Sequence, residues 1–223
     1  MLAFSSSAQA LTTLWGNYSS TNDGGSISMF PTTSIAVGFT LPTGSNYTLN
    51  SIDFRLRNYN TSTGDVALIQ IYRDSGKTSS NPLGATLESV TFNNPNSSSD
   101  AVGNFNFIPT TTFTFLADTR YWLLVNASAG DDNWMRNQPS VTPTGISGMT
   151  SNGYQLTANT GSTYAPWTLQ YSFQINATEV PSTPVPFEFS HQASLAILGG
   201  AWLVRRGLKK KSAGKILVKS VNS

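Results

Sequence analysis

WTLQYSFQI, residues 167–175, alternates without a fault: Trp167, Leu169, Tyr171, Phe173 and Ile175 on one side, Thr168, Gln170, Ser172 and Gln174 on the other. Successive side chains of a strand point to opposite faces, so this pattern predicts a strand with one face in a core and the other in water. The same period recurs in SIAVGFTL (Ile35, Val37, Phe39, Leu41) and in SIDFRLR, where Ile52, Phe54 and Leu56 oppose Asp53, Arg55 and Arg57. VALIQIY and RYWLLV are more continuously apolar and suit central strands covered on both faces. GNFNFI and TTFTF are shorter alternating pieces around Pro109 that turn one strand into the next.

Between these runs lie STNDGGS, NTSTGD, NPNSSSD and AGDDN, which carry turn chemistry. No stretch before Pro186 has a helical period. Many short strands at regular spacing predict an all-β fold, an antiparallel β-sandwich of jelly-roll type, over residues 11–178. Residues 179–186 include VPSTPVP, whose prolines can neither pair in a sheet nor begin deep in a helix, so they read as an extended spacer. A short hydrophobic helix with a basic tail is expected over residues 187–223.

The chain has 223 residues, enough for one domain of ordinary size. Only 11% of them are charged, against roughly 25% in an average soluble protein, the polarity coming instead from Ser, Thr and Asn. Up to residue 180 there are six bases against ten acids, and after it seven bases against one acid. The domain is therefore mildly acidic, which disfavours nucleic acid as a partner because phosphate contacts need a basic surface. Cysteine is absent, which excludes disulfides, thiolate metal sites and cysteine nucleophiles. At the N-terminus Ala8-Gln9-Ala10 has the small-residue spacing that signal peptidase prefers, so residues 1–10 read as the remnant of a signal peptide.

The C-terminal stretch VPFEFSHQASLAILGGAWLVRRGLKKK, residues 185–211, combines a proline-bearing motif, an apolar segment and a basic block. Its twelve uncharged residues from Ala193 to Val204, among them Leu195, Ile197, Leu198, Trp202 and Leu203, would extend about 18 Å as helix. A bilayer core of about 30 Å wants about 20 residues, so the segment is a marginal span. Arg205, Arg206, Lys209, Lys210 and Lys211 resist translocation and act as a cytoplasmic stop, which leaves residues 11–185 outside.

This order of features resembles the C-terminal sorting signals of exosortase substrates, the PEP-CTERM group. Val185, Pro186, Phe187, Glu188, Phe189 and Ser190 are similar to the Pro-Phe-Glu variant found in cyanobacterial members, with His191 where that variant commonly has Pro. The resemblance implies a membrane protease-transpeptidase that recognises Pro186, Phe187 and Glu188 and cuts nearby. The precursor would be tethered to the inner membrane, and the product would go to the envelope, surface or extracellular matrix. A permanently anchored envelope protein is the plain alternative. The order of FTLPTGSNYTLNSIDFRLRN, VALIQIYRDSGKTSSNPLGATL, FTFLADTRYWLLVNAS and WTLQYSFQINAT, with Leu116-Ala117-Asp118-Thr119-Arg120-Tyr121-Trp122 as turn into strand, resembles the choice-of-anchor R domain. That family implies an extracytoplasmic β module without a known reaction.

The only histidine, His191, lies in the tail, so the domain has no residues for Ser-His-Asp or Cys-His catalysis or an ordinary zinc site. A glycosidase needs two carboxylates facing each other across roughly 5 to 10 Å, whereas the adjacent Asp131 and Asp132 point opposite ways in an extended chain. The expectation is a non-enzyme without an obligate cofactor. Calcium is the one candidate ion, since Asn22-Asp23-Gly24-Gly25, Asp65, Asp100 and Asp131-Asp132-Asn133 offer hard oxygen ligands, although the same residues are good turn formers. Trp15, Trp122, Trp134, Trp167, Tyr154 and Tyr164 could stack on sugar rings, with Trp122 and Trp167 placed in the core by their strand patterns. Trp134, in GDDNWMRNQ, is the one of these with the most loop-like surroundings. If exposed, it would form with Asp131, Asp132, Asn133 and Arg136 a candidate carbohydrate patch, but the favoured reading is that Trp134 packs its own loop. A structural or adhesive surface role beside exopolysaccharide is the leading expectation, and a carbohydrate-binding module its rival.

Overall fold

The computed structural model describes residues 10–21 and 23–181. The signal-peptide remnant up to residue 9, Asn22, the sorting motif Val185–Ser190, the apolar segment from Ala193 and the basic block from Arg205 lie outside the described residues, as does the spacer beyond Pro181. Among the described residues no helix is long and apolar enough to cross a membrane.

Apart from a 3-10 turn at Pro82–Gly84, every regular element described is a strand. In chain order these are β1 (Leu11–Gly16), β2 (Asp23–Ser28), β3 (Ser34–Thr40), β4 (Tyr47–Arg57), β5 (Val66–Asp74), β6 (Thr86–Leu87), β7 (Phe92–Asn93) and β8 (Gly103–Pro109). There follow β9 (Thr114–Phe115), β10 (Arg120–Ala129), β11 (Asn133–Asn137), β12 (Thr144–Gly145), β13 (Thr150–Thr157), β14 (Ala165–Trp167) and β15 (Phe173–Glu179). They form two sheets, both antiparallel throughout. One has nine strands along the path β12-β1-β15-β4-β11-β2, with β8 and β9 also on β4 and β7 on β8; the other has six in the order β14-β13-β3-β10-β5-β6.

Inward-facing residues of both sheets share one core. Ile35, Val37 and Phe39 of β3 and Tyr121, Leu123 and Val125 of β10 join Ile52, Phe54 and Leu56 of β4 and Phe173 and Ile175 of β15. The period-two reading therefore holds in β3 and β4. The opening stretch keeps its parity but not its continuity. Trp167 ends β14 in the six-stranded sheet and Phe173 begins β15 in the nine-stranded one. In between, the backbone bonds to β11, with Ser172 N donating to Met135 O at 2.9 Å and Asn137 N donating to Gln170 O at 3.2 Å. The chain crosses from one sheet to the other while its apolar side stays inward: Tyr171 is buried, and Leu169 is half-buried against the core.

β10 is buried on both faces from Tyr121 to Ala127, as expected. β5 is not: Ala67, Ile69 and Ile71 face the core, while on the opposite face Val66 and Leu68 are exposed and Gln70 and Tyr72 half-buried. The segment before β10 is a turn into a strand: Asp118 has a φ of 53°, its N–H donates to Pro42 O at 2.9 Å, and Tyr121 Oη accepts from Leu116 N at 2.8 Å.

Candidate functional site

Alternation along the six-stranded sheet sets Ser34, Ala36 and Gly38 of β3, Gln70 and Tyr72 of β5, and Trp122, Leu124 and Asn126 of β10 on the face turned away from the core. Ala36, Trp122 and Leu124 make a second, small buried cluster there, against which Tyr72, Ala85 and Tyr164 pack. Trp122 is thus a core residue as expected, but of this outer cluster. Its ring lies over Gly38, where an added Cβ would come within 2.6 Å of Cζ3, so only glycine fits beneath it. Trp167 is half-buried against the main core.

Two loops raise walls on this face. Asp74 carries the first, accepting from Ser79 N at 2.8 Å, and Arg120 Nη1 donates to Ser79 O at 2.6 Å. Asn81 then caps the 3-10 turn by accepting from Leu83 N at 3.0 Å. Asn159 shapes the second: its Oδ1 accepts from Thr157 Oγ1 and Thr163 N, and its Nδ2 donates to Thr163 Oγ1. Thr160 N donates to Thr32 O at 3.0 Å, which ties this loop to the turn before β3. Between the walls lies a hollow of about 170 Å³ with Gln70, Tyr72, Leu124 and Asn126 as its floor. Pro82 and Leu83 flank it on one side, Thr160, Gly161 and Tyr164 on the other, and Pro31 and Ser34 close one end.

Among the described residues no charged side chain lines this hollow. Asn126 is 8% exposed; its Nδ2 donates to Ser34 Oγ at 2.9 Å and to Pro31 O at 3.4 Å, while Oδ1 is buried without a partner. The carbonyl of Pro31 can only accept, which fixes the amide's orientation and leaves the acceptor unsatisfied. Trp122 Nε1, on the same face, is likewise buried without a partner. Burial, and then the neighbouring phenol of Tyr72, push the Tyr164 hydroxyl up to about 12, and burial raises Tyr72 as well. Both phenols stay neutral donors at physiological pH.

The candidate patch at residues 131–136 is arranged differently. Trp134 does not face solvent; it is 0% exposed, a correction to the candidate carbohydrate patch. It belongs to β11, its ring stands 5.3 Å from those of Phe54 and Tyr171, and its Nε1 donates to Ser172 O at 2.9 Å. The ring is committed to the core and offers no face to a sugar. Asn133 is buried, accepting from Ser28 Oγ at 2.8 Å, and Arg136 donates to Gly24 O at 2.6 Å. Asp131 alone of the group is exposed.

Asp132 is 0% exposed, and neither carboxyl oxygen has a partner. Burial, then the nearby Asp65 and Asp131, push it up to about 7. The Asp65 carboxylate accepts from Asn60 N at 2.8 Å and lies against Gly130, whose φ of 85° and missing side chain make room for it; a Cβ there would be 2.0 Å from Oδ1. Of the other candidate calcium ligands, Asp23 pairs with Arg55 at 2.5 Å, Asp100 accepts from Asn60 Nδ2 at 3.0 Å, and Asn22 lies outside the described residues. Among the described residues no group of three or more His, Cys, Asp or Glu is gathered as metal ligands.

Of the hollow's residues the sequence reading had named only Tyr164. Gln70 was the one polar interruption of VALIQIY, and with Tyr72 it shares the parity of one face, the only signal in the sequence that could have marked them. No protein-family model and no curated protein matches the chain.

Proposed function

We propose that this chain is an exported, non-enzymatic β-sandwich of jelly-roll type with a structural or adhesive role at the cell envelope, surface or extracellular matrix. In this reading its C-terminal segment is a delivery signal for an exosortase-type protease. The observation that carries it is the character of the walled hollow, whose neutral amides, phenols and apolar side chains are suited to holding a ligand rather than transforming one. Regular passage of the chain between the sheets supports the jelly-roll topology, with β3, β5, β10 and β13 in one and β4, β8, β11 and β15 in the other. The order Pro186-Phe187-Glu188, apolar segment and basic block supports delivery to the surface.

Mass spectrometry of the surface-localised protein tests delivery. The mature C-terminus is expected near residues 186–190, without the Lys-rich tail. An intact tail on surface-localised protein would instead mark a permanently anchored envelope protein. Retention of the whole chain in the cytoplasm would overturn the exported reading.

A further inference from the structure

We infer that the hollow on the outer face of the six-stranded sheet is a binding site for one neutral pyranose unit of a polysaccharide. The inference rests on the reading of the domain as a binding module and gives that module its ligand class.

Size comes first. At about 170 Å³ the hollow is well below the roughly 300 to 1,000 Å³ of sites that enclose drug-sized ligands, and it fits a single six-membered ring whose neighbours continue into solvent. Charge comes second. With no Lys or Arg in the lining, an anion would find no counter-charge, and with no Asp or Glu a cation would be equally uncompensated.

What the lining does supply matches a sugar. Gln70 presents a donor and an acceptor from one side chain, its Oε1 also within 3.4 Å of the Tyr72 hydroxyl that donates to it. A sugar hydroxyl both donates and accepts, so of two neighbouring hydroxyls one can accept from Gln70 Nε2 while the other donates to Oε1. Tyr72 and Tyr164 add apolar ring surface with polar tips, the combination that meets the C–H face and hydroxyl rim of a pyranose. The walls are fixed in advance by Asn81, Asp74 and Asn159, so little ordering cost falls on binding.

The test uses the full chain, purified in a detergent without a sugar head group, titrated calorimetrically with neutral oligosaccharides of glucan, mannan and galactan type and with a uronic-acid oligosaccharide. A neutral oligosaccharide is expected to bind, and Gln70→Ala and Tyr164→Ala are each expected to weaken it by about tenfold or more with unchanged melting temperature. Should Tyr164→Ala fold poorly, Gln70→Ala and ligand-induced amide shifts at Leu124 and Gly161 in the unsubstituted protein decide. Absence of binding by every neutral glycan, binding indifferent to both substitutions, or preference for the uronic acid would overturn the assignment. Delivery is scored separately by the mature C-terminus: a retained tail with intact glycan binding refutes the sorting signal and leaves the site standing, and the converse result refutes the site alone.

Discussion

Asp132 makes the domain's stability depend on pH in a window where few carboxylates act. Its side chain is fully buried, both oxygens lack partners, and Asp65 and Asp131 add negative charge nearby. Folding therefore favours the neutral acid, and proton affinity rises from the ordinary 3.8 to about 7. The folded state then binds more protons than the unfolded state between those values. The stability contributed by the neutral acid is fully present below about 3.8 and is lost as pH rises through about 7. At roughly 1.36 kcal/mol per tenfold change in proton affinity the whole effect is about 4 kcal/mol, of which about 2 to 3 falls between about pH 5 and pH 8.

Asp132→Asn keeps the shape and cannot ionise, so its stability should escape this loss. All other titrating groups are shared, so the difference between the two proteins isolates Asp132. In thermal melts with chelator present, the gap in favour of Asp132→Asn should widen by roughly 5 to 10 °C from about pH 5 to about pH 8, taking about 2 to 4 °C per kcal/mol for a domain of this size. Parallel melting curves for the two proteins across that range would refute the reasoning, because they would mean that Asp132 is ionised and compensated throughout.

Repeating those melts with calcium tests the cation role of the same cluster: a calcium-dependent rise in melting temperature that Asp132→Asn abolishes would assign Asp65 and Asp132 to the ion. Trp134→Ala should cost about 3 to 5 kcal/mol in denaturant unfolding, the range for losing a buried tryptophan, whereas a loss below about 1 kcal/mol would contradict its place among Phe54, Tyr171 and Phe173. Gly38→Ala should cost about 1 to 3 kcal/mol by overpacking the Trp122 ring, with a changed near-ultraviolet circular dichroism spectrum as its signature. Arg55→Ala removes a guanidinium that holds both oxygens of Asp23, at 2.5 and 2.6 Å, and Asn104 at 2.7 Å; with Asp23 partly exposed, about 1 to 3 kcal/mol should be lost on denaturation.

Parity along a strand can be read locally, and so SIAVGFTL and SIDFRLR show their inward faces in the sequence, while the unbroken apolar run of RYWLLV marks a strand covered on both. Which sheet a strand joins cannot be read this way, because the crossover within WTLQYSFQI leaves the alternation undisturbed. GDDNWMRNQ misled for another reason. Its asparagines resemble loop chemistry, yet Asn133 is buried against Ser28 at a separation of 105 residues, and Asn137 Nδ2 donates to Asn17 O at a separation of 120. Buried polar groups satisfied by distant partners have the composition of exposed ones, and only the fold distinguishes them.

The hollow is harder still to foresee, since its floor needs the register of β5 on β10, pairing Tyr72 with Trp122 and Gln70 with Leu124. Its walls come from turns at residues 82–83 and 160–164, which no local pattern relates. On the face of β5 turned away from the core, Gln70 and Tyr72 meet these loops and no second sheet, so a space is enclosed there instead of a core.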